Sequence, residues 1–212
     1  MIHFLHGWPK WKLNCTKKMN EMTKQFVSKI FFLLLLMNIL TNNPGYCQQE
    51  KRPVDWAKKV ETSQVKNLWK LNDTIYRSAQ PEITNVQYLE KMGIHGFLDL
   101  RSHHSDKSIV TGTSISEYEV EMKADSFTDK EIIDALRVIK SSSKPLLIHC
   151  KQGSDRTGVV IAMYRIIFQG WTKDKALTKL LNGGYGFHTK YTNIPFYIKN
   201  VDIDKIKKSL EN

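Results

Sequence analysis

The sequence predicts an α/β domain, and three observations carry that prediction. Stretches with strand character and stretches with helical spacing alternate from Val65 onward. The apolar run "PLLIHC", from Pro145, passes through a glycine-containing loop into an apolar helix expected over residues 157–168. No internal repeat is present, so one domain is expected rather than an array.

The elements follow in order. "VKNLWKLNDTIYRSAQP", from Val65, holds two short strands about the turn pair Asn72-Asp73. Pro81 opens a helical segment in which Ile83, Val86, Leu89 and Met92 recur near helical spacing, and Gly93 stops it. "GIHGFLDLR" is a buried strand ending at Arg101, and "RSHHSDKSIVTGTS" is a polar loop. "EYEVEMK" alternates as a half-buried strand does. Thr128 caps a helix running to about Ile139, with Glu131 at the reciprocal position of a capping box. "TKDKALTKLLNGG" is a further helix, capped by Thr172 and stopped by glycines, and one last helix is expected from about Ile194 to Leu210.

The division expected along the chain is an N-terminal extension with a secretory signal over 1–47, a polar lead-in over 48–64, and the folded domain over 65–212. Ile30 to Leu40 is an uncharged apolar run, short for a bilayer span and suited to the core of a signal peptide. Lys24 and Lys29 flank it with positive charge, and Gly45 and Cys47 offer a small-x-small cleavage site. The alternative is an uncleaved membrane anchor. A lipoprotein site at Cys47 is disfavoured by the bulk of Tyr46, and Met19 or Met22 would give a signal of more ordinary length. Cleavage near Cys47 would place the chain in the periplasm or outside the cell.

The formal charge is +11, but the first 47 residues carry six lysines against Glu21 alone. The surplus on the remainder is modest and spread out. It suits anionic ligands, and without a basic run interleaved with aromatics it does not indicate nucleic acid. Of Cys15, Cys47 and Cys150, only Cys150 would survive cleavage. A domain with one thiol makes no internal disulfide, so its fold rests on core packing.

That thiol sits in "HCKQGSDRTG". Strand, loop and helix N-terminus together form an anion cradle of inward N–H groups and partial positive charge. Helix termini and nearby cations favour the thiolate form of a cysteine. A thiolate facing a bound phosphate is placed for nucleophilic phosphoryl transfer. Arg156 offers a planar fork for two phosphate oxygens. Thr157 can donate its hydroxyl to the sulfur, and His149 can orient the loop by hydrogen bonding. Lys151, Gln152, Gly153, Ser154 and Asp155 supply the rest of the cradle. A cysteine and an arginine six apart are a weak signal alone, but not with this strand, glycine and helix around them.

The segment resembles the signature loop of the protein tyrosine phosphatase superfamily, His-Cys-five residues-Arg-Thr/Ser-Gly. With "YRSAQP", "LDLRSHHSD", "YRIIFQGW" and "NGGYGFH", the chain from about Leu68 to Tyr197 is similar to compact bacterial dual-specificity-like phosphatases. The resemblance implies a central mixed sheet of about four to five strands flanked by helices. It also implies a cysteinyl-phosphate intermediate and neither metal nor cofactor. The expected partner is a phosphorylated protein or a small anionic phosphomonoester, with the chain acting as a monomer. Phosphoinositides and inositol phosphates present the same dianion. An inactive phosphate-binding module and a sulfur-transfer enzyme are the rival readings.

Enzymes of this type use an aspartate ahead of the signature strand as general acid. "EMKADSFTDKEI" offers Asp125, on the loop, and Asp129, in a first helical turn where the helix dipole favours acid without catalysis. Asp125 is preferred. Asp155 is the second candidate, because an acidic residue before the loop arginine resembles myotubularin-like lipid phosphatases; a carboxylate there would repel thiolate and phosphate, so a structural tie is the stronger reading. Arg101, His103, His104 and Asp106 follow a strand end, where α/β ligand sites gather. "NGGYGFH", ending at His188, is placed to buttress the loop.

Overall fold

The computed structural model describes residues 23–34, 52–61 and 64–211. Residues 23–34 form helix α1, which contains the first residues of the apolar run; Cys15, Cys47 and the expected cleavage site lie outside the described residues. No helix among the described residues is long and apolar enough to cross a membrane. The residues from Arg52 onward form one compact unit.

Among the described residues, six strands make one mixed sheet in the order β1-β2-β3-β6-β4-β5. β1 (Lys58–Lys59), β2 (Trp69–Lys70) and β3 (Ile75–Ala79) pair antiparallel, and β3, β6 (Leu146–Cys150), β4 (Gly96–Arg101) and β5 (Ser116–Met122) run parallel. The count exceeds the expected four to five because β1 arises within the segment read as a polar lead-in. Lys58 and Lys59 are exposed and carry no apolar pattern, so only their pairing with Lys70 and Trp69 reveals the strand.

Side chains alternate between the faces of a strand, and this parity divides the core. Leu98, Leu100, Leu146, Ile148 and Cys150 point into the larger cluster, which is covered by α4 (Asp129–Ser141), α5 (Asp155–Gln169) and α6 (Lys173–Asn182). Phe97 and Leu147 point into the smaller cluster with Val86 and Leu89 of α2 (Ile83–Lys91). α5 is apolar nearly all round because it is the central buried helix. A Cβ at Gly158 would lie 2.4 Å from Leu180 Cδ1, so glycine sets the close approach of α5 to α6.

The capping box expected at Thr128 and Glu131 is present, and Thr172 caps α6. Two elements differ from expectation. The polar loop after β4 holds a short helix, α3 (Lys107–Val110). The last helix is two, α7 (Asn193–Asn200) and α8 (Ile203–Ser209). Val201 leaves helical geometry, and the Asp202 carboxylate accepts from Lys205 N–H to start the second helix.

Lys179, on α6, is 3% exposed, and its Nζ has no hydrogen-bond partner among the described residues. Burial, reinforced by Arg165, Arg77 and Arg52, pulls its ammonium down to about 6. The folded state thus rejects a proton that the unfolded chain holds up to pH ~10.4. The cost is absent above that pH, grows as the pH falls, and levels off near the folded value of about 6. Lys179→Met is expected to raise stability at pH 7 by roughly a few kcal/mol. Thermal unfolding across pH 6–10 checks it: the gain should shrink toward pH ~10, and a variant no more stable than the parent at pH 7 contradicts it.

Candidate active site

Cys150 ends β6 on the α5 face and is 2% exposed. The chain then turns through Lys151, Gln152, Gly153 and Ser154 into α5. Gly153 has φ +68°, and a Cβ there would lie 2.2 Å from Ser78 O, so the turn requires glycine on both counts. The Gly153 carbonyl accepts from Arg77 Nη2 at 2.5 Å. Arg77 is 1% exposed, with its guanidinium 4.0 Å from the Tyr185 ring centroid. Burial draws this guanidinium down to about 10, partly opposed by Tyr185 and Cys150, so at neutral pH it remains cationic under the loop. Sequence reasoning missed Arg77; "YRSAQP" carried the resemblance without naming its arginine as a clamp.

A pocket of about 210 Å³ opens over this loop. Cys150, Lys151, Gln152, Asp155 and Arg156 line it from the loop side, with Ala124, His188, Lys190 and Tyr191 around the rim. Arg156 makes one long contact, 3.5 Å from Nη1 to the Met122 carbonyl, which leaves most of its fork for an anion. Asp155 is tied to the segment after Tyr185: it accepts from the His188 backbone N–H at 2.9 Å, and its other oxygen lies 2.8 Å from His188 Nδ1. This geometry matches the structural tie expected for Asp155 and the buttress expected of "NGGYGFH". Ser154 Oγ donates to the Tyr185 carbonyl at 2.8 Å.

His149 lies on the opposite face from Cys150, and its Nε2 is 2.5 Å from Asp106 Oδ2, both residues being fully buried. Asp99, its register partner on β4, lies 3.8 Å from His149 Nδ1 and 2.5 Å from His104 Nδ1. His104 Nε2 in turn meets Gln80 Nε2 at 2.6 Å, and Arg101 donates to the Gln80 side-chain oxygen. These are two hydrogen-bonded imidazole–carboxylate pairs, His149–Asp106 and His104–Asp99, which approach each other at 3.8 Å between His149 Nδ1 and Asp99 and between His104 Nδ1 and Asp106. His149 is held by Asp106 rather than bonded to the loop itself; Asp99 was not anticipated, because its place beside His149 depends on strand register. His103 stands apart, with φ +56° and its N–H donated to Glu121. Asp99, His104 and Asp106 are the described residues whose donor atoms could reach one cation, lying within 4.8 Å of one another.

Thr157 Oγ1 is buried without a partner among the described residues, so the bond expected from it to the Cys150 sulfur is not formed here. A neutral thiol is a weak acceptor, whereas a thiolate would satisfy this donor.

Asp125 lies on the turn after β5 as expected, but the structure does not bring it into the Cys150 pocket. Its neighbour Ala124 lines that pocket, while Asp125 lines an adjoining one with Phe127, Asp129 and Tyr197. Asn193 Nδ2 donates to the Ala124 carbonyl at 2.8 Å and anchors the turn. Asp129 is committed elsewhere, accepting from Tyr197 Oη at 3.0 Å and Lys205 Nζ at 2.7 Å, and the Lys205 contact holds its carboxyl below the usual range.

A model of the tyrosine phosphatase family matches residues 63–210. The chain belongs to this family. Dual specificity protein phosphatase TpbA of Pseudomonas aeruginosa is 30% identical over 159 residues, covering 74% of this chain and 72% of that protein. The crystal structure of TpbA superposes with a TM-score of 0.68 at 30% identity, over 76% of this chain and 99% of that one. A cysteine-to-serine variant of TpbA, solved in complex with pTyr, superposes equally well at 29% identity. Inositol diphosphatase DSP5 of Arabidopsis thaliana is 28% identical over 153 residues, covering 68% of this chain and 74% of that protein. The protein is a phosphatase of the tyrosine and dual-specificity class, and its α/β architecture is that of the family.

Proposed function

We propose that this protein hydrolyses phosphomonoesters, phosphotyrosine and phosphoserine or phosphothreonine among them, through a phosphocysteine at Cys150. The observation that carries the reading is the Cys150–Arg156 loop, held open over a pocket by Arg77, Asp155 and Ser154. In the first step the Cys150 thiolate attacks phosphorus and the bond to the leaving oxygen breaks. Asp125 gives that oxygen its proton as the turn at 124–126 moves toward the substrate. Arg156 and the loop N–H groups bind the equatorial oxygens throughout. Water then attacks phosphorus, its proton passes to Asp125, and the P–S bond breaks to release phosphate and the thiolate. Thr157 donates to the departing sulfur.

The pTyr bound by a relative supports a phosphotyrosine substrate. A second reading, an inositol phosphate, is supported by Lys151 and Lys190 on the pocket and by the relative named as an inositol diphosphatase. A panel of phosphotyrosine peptide, phosphoserine peptide, phosphoinositide and soluble inositol phosphate, compared by kcat/KM, tests both. The phosphotyrosine peptide is expected to lead, and an inositol phosphate turned over 100-fold faster than either peptide would replace the first reading with the second. We propose also that the chain is exported, supported by the Ile30–Leu40 run and its lysine flank. N-terminal sequencing of protein recovered outside the cytoplasm should start near Gln48, and an intact terminus there would overturn cleavage.

A further inference from the structure

The segment ahead of the family match is built into the signature loop's support. Arg52 spends its guanidinium on three acceptors: Nε donates to Ala57 O at 2.9 Å, Nη1 to Gly183 O at 2.9 Å, and Nη2 to Tyr185 Oη at 2.8 Å. Its planar group also lies 4.6 Å from the Trp69 ring centroid. Two further features hold the strap down. Asp55 pairs with Lys175 at 2.5 Å, and β1 closes onto β2.

Tyr185 is the residue through which the loop is held. Its ring carries Arg77, which donates to Gly153 O. Its carbonyl accepts from Ser154 Oγ at 2.8 Å and from Asn67 Nδ2 at 3.0 Å, and the same Asn67 amide donates to Gln152 O at 2.9 Å. Three consecutive loop residues, Gln152, Gly153 and Ser154, are therefore referred to Tyr185. Gly184 and Gly186 flank it, at φ +75° and +76°, so little in the local backbone fixes Tyr185 by itself. Arg52 grips both its hydroxyl and the Gly183 carbonyl.

We infer that Arg52 is a positioning residue for the phosphatase reaction: it locks Tyr185, and Tyr185 sets the height of the Gln152–Ser154 turn relative to Cys150. The strap of residues 52–59 thereby belongs to the catalytic apparatus although it precedes the family match. Displacing reacting groups by about 1 Å can cost on the order of 100-fold in rate, so a partial loosening should cost about tenfold. The loss should fall on kcat, because Arg156 and Lys151 still bind the dianion. Lysine cannot reproduce the three-acceptor fork.

This inference rests on the proposed phosphocysteine chemistry, and the test separates the two. In the full chain, with an aryl phosphate, Arg52→Ala is expected to lower kcat about tenfold with KM within twofold, and Arg52→Lys to restore only part of it. Tyr185→Phe removes the hydroxyl that Arg52 holds, so the double variant should be no slower than Arg52→Ala alone. Ile206→Val, on the buried face of α8, serves as a control for lost stability and should keep full kcat below its unfolding temperature. An active parent with unchanged kcat in Arg52→Ala, or losses from Arg52 and Tyr185 that multiply, overturns the inference while leaving the chemistry standing. Should Arg52→Ala fail to fold, Tyr185→Phe alone decides: a kcat lowered about threefold or more supports the coupling, and a parental kcat removes it. A parent without turnover on any phosphate ester overturns the phosphatase reading itself.

Discussion

Cys150→Ser is expected to lower turnover of an aryl phosphate by about 10⁴-fold or more while the fold persists, since nucleophile removal in comparable enzymes costs on that order or above. The side chains are nearly isosteric, and the site is buried at the end of β6, so the core of Leu146, Ile148 and the α5 face should close around the hydroxyl unchanged. What is lost is the nucleophile, because a serine hydroxyl with no adjacent base stays protonated. The cradle remains. Inorganic phosphate should bind the variant about as well as the parent if, as proposed, Arg156 and the loop N–H groups hold it. Steady-state kinetics and isothermal titration with phosphate check the two halves, and undiminished turnover would remove Cys150 from the reaction.

Asp125→Asn is expected to slow hydrolysis of phosphotyrosine by roughly 10²–10⁴-fold, the span of general acid catalysis. An aryl phosphate whose leaving group is already a weak base needs no proton, so its loss should be much smaller. The basic limb of the pH–rate profile should flatten, because it reports loss of the acid's proton. Asp129→Asn should show no such leaving-group dependence, since Asp129 is held by Tyr197 and Lys205. Asp155→Asn should disturb the loop by releasing His188, with a loss similar for good and poor leaving groups. If Asp155→Asn instead shows the leaving-group-dependent loss and Asp125→Asn behaves as the parent, the loop aspartate is the acid.

Much of this was legible in the sequence because it is local. Cys150, Gly153, Arg156 and the helix that follows lie within one strand–loop–helix unit, and the structure forms that unit where the order of residues places it. The caps are likewise local: Thr128 pairs with Glu131 three positions on, and the Thr172 hydroxyl accepts from the Lys175 backbone N–H. The contributions that escaped notice are those set by tertiary register. Arg77 reaches Gly153 only because β3 and β6 are parallel neighbours, pairing Arg77 with Ile148. Asp99 meets His149 through the β4–β6 register. Arg52 belongs to a polar stretch with no periodicity, and its partners Gly183 and Tyr185 lie more than a hundred positions away. The direction of the Asp125 carboxylate depends on a turn anchored by Asn193, which spacing cannot report.

The central claim is a covalent phosphocysteine, and the most direct measurement is rapid acid quench of the parent protein during turnover of a ³²P-labelled substrate, followed by peptide mapping. The account predicts protein-bound phosphate that appears before steady state, maps to the peptide containing Cys150, and is absent from Cys150→Ser. Product formed with no labelled protein at any quench time, or label on a different residue, would contradict it.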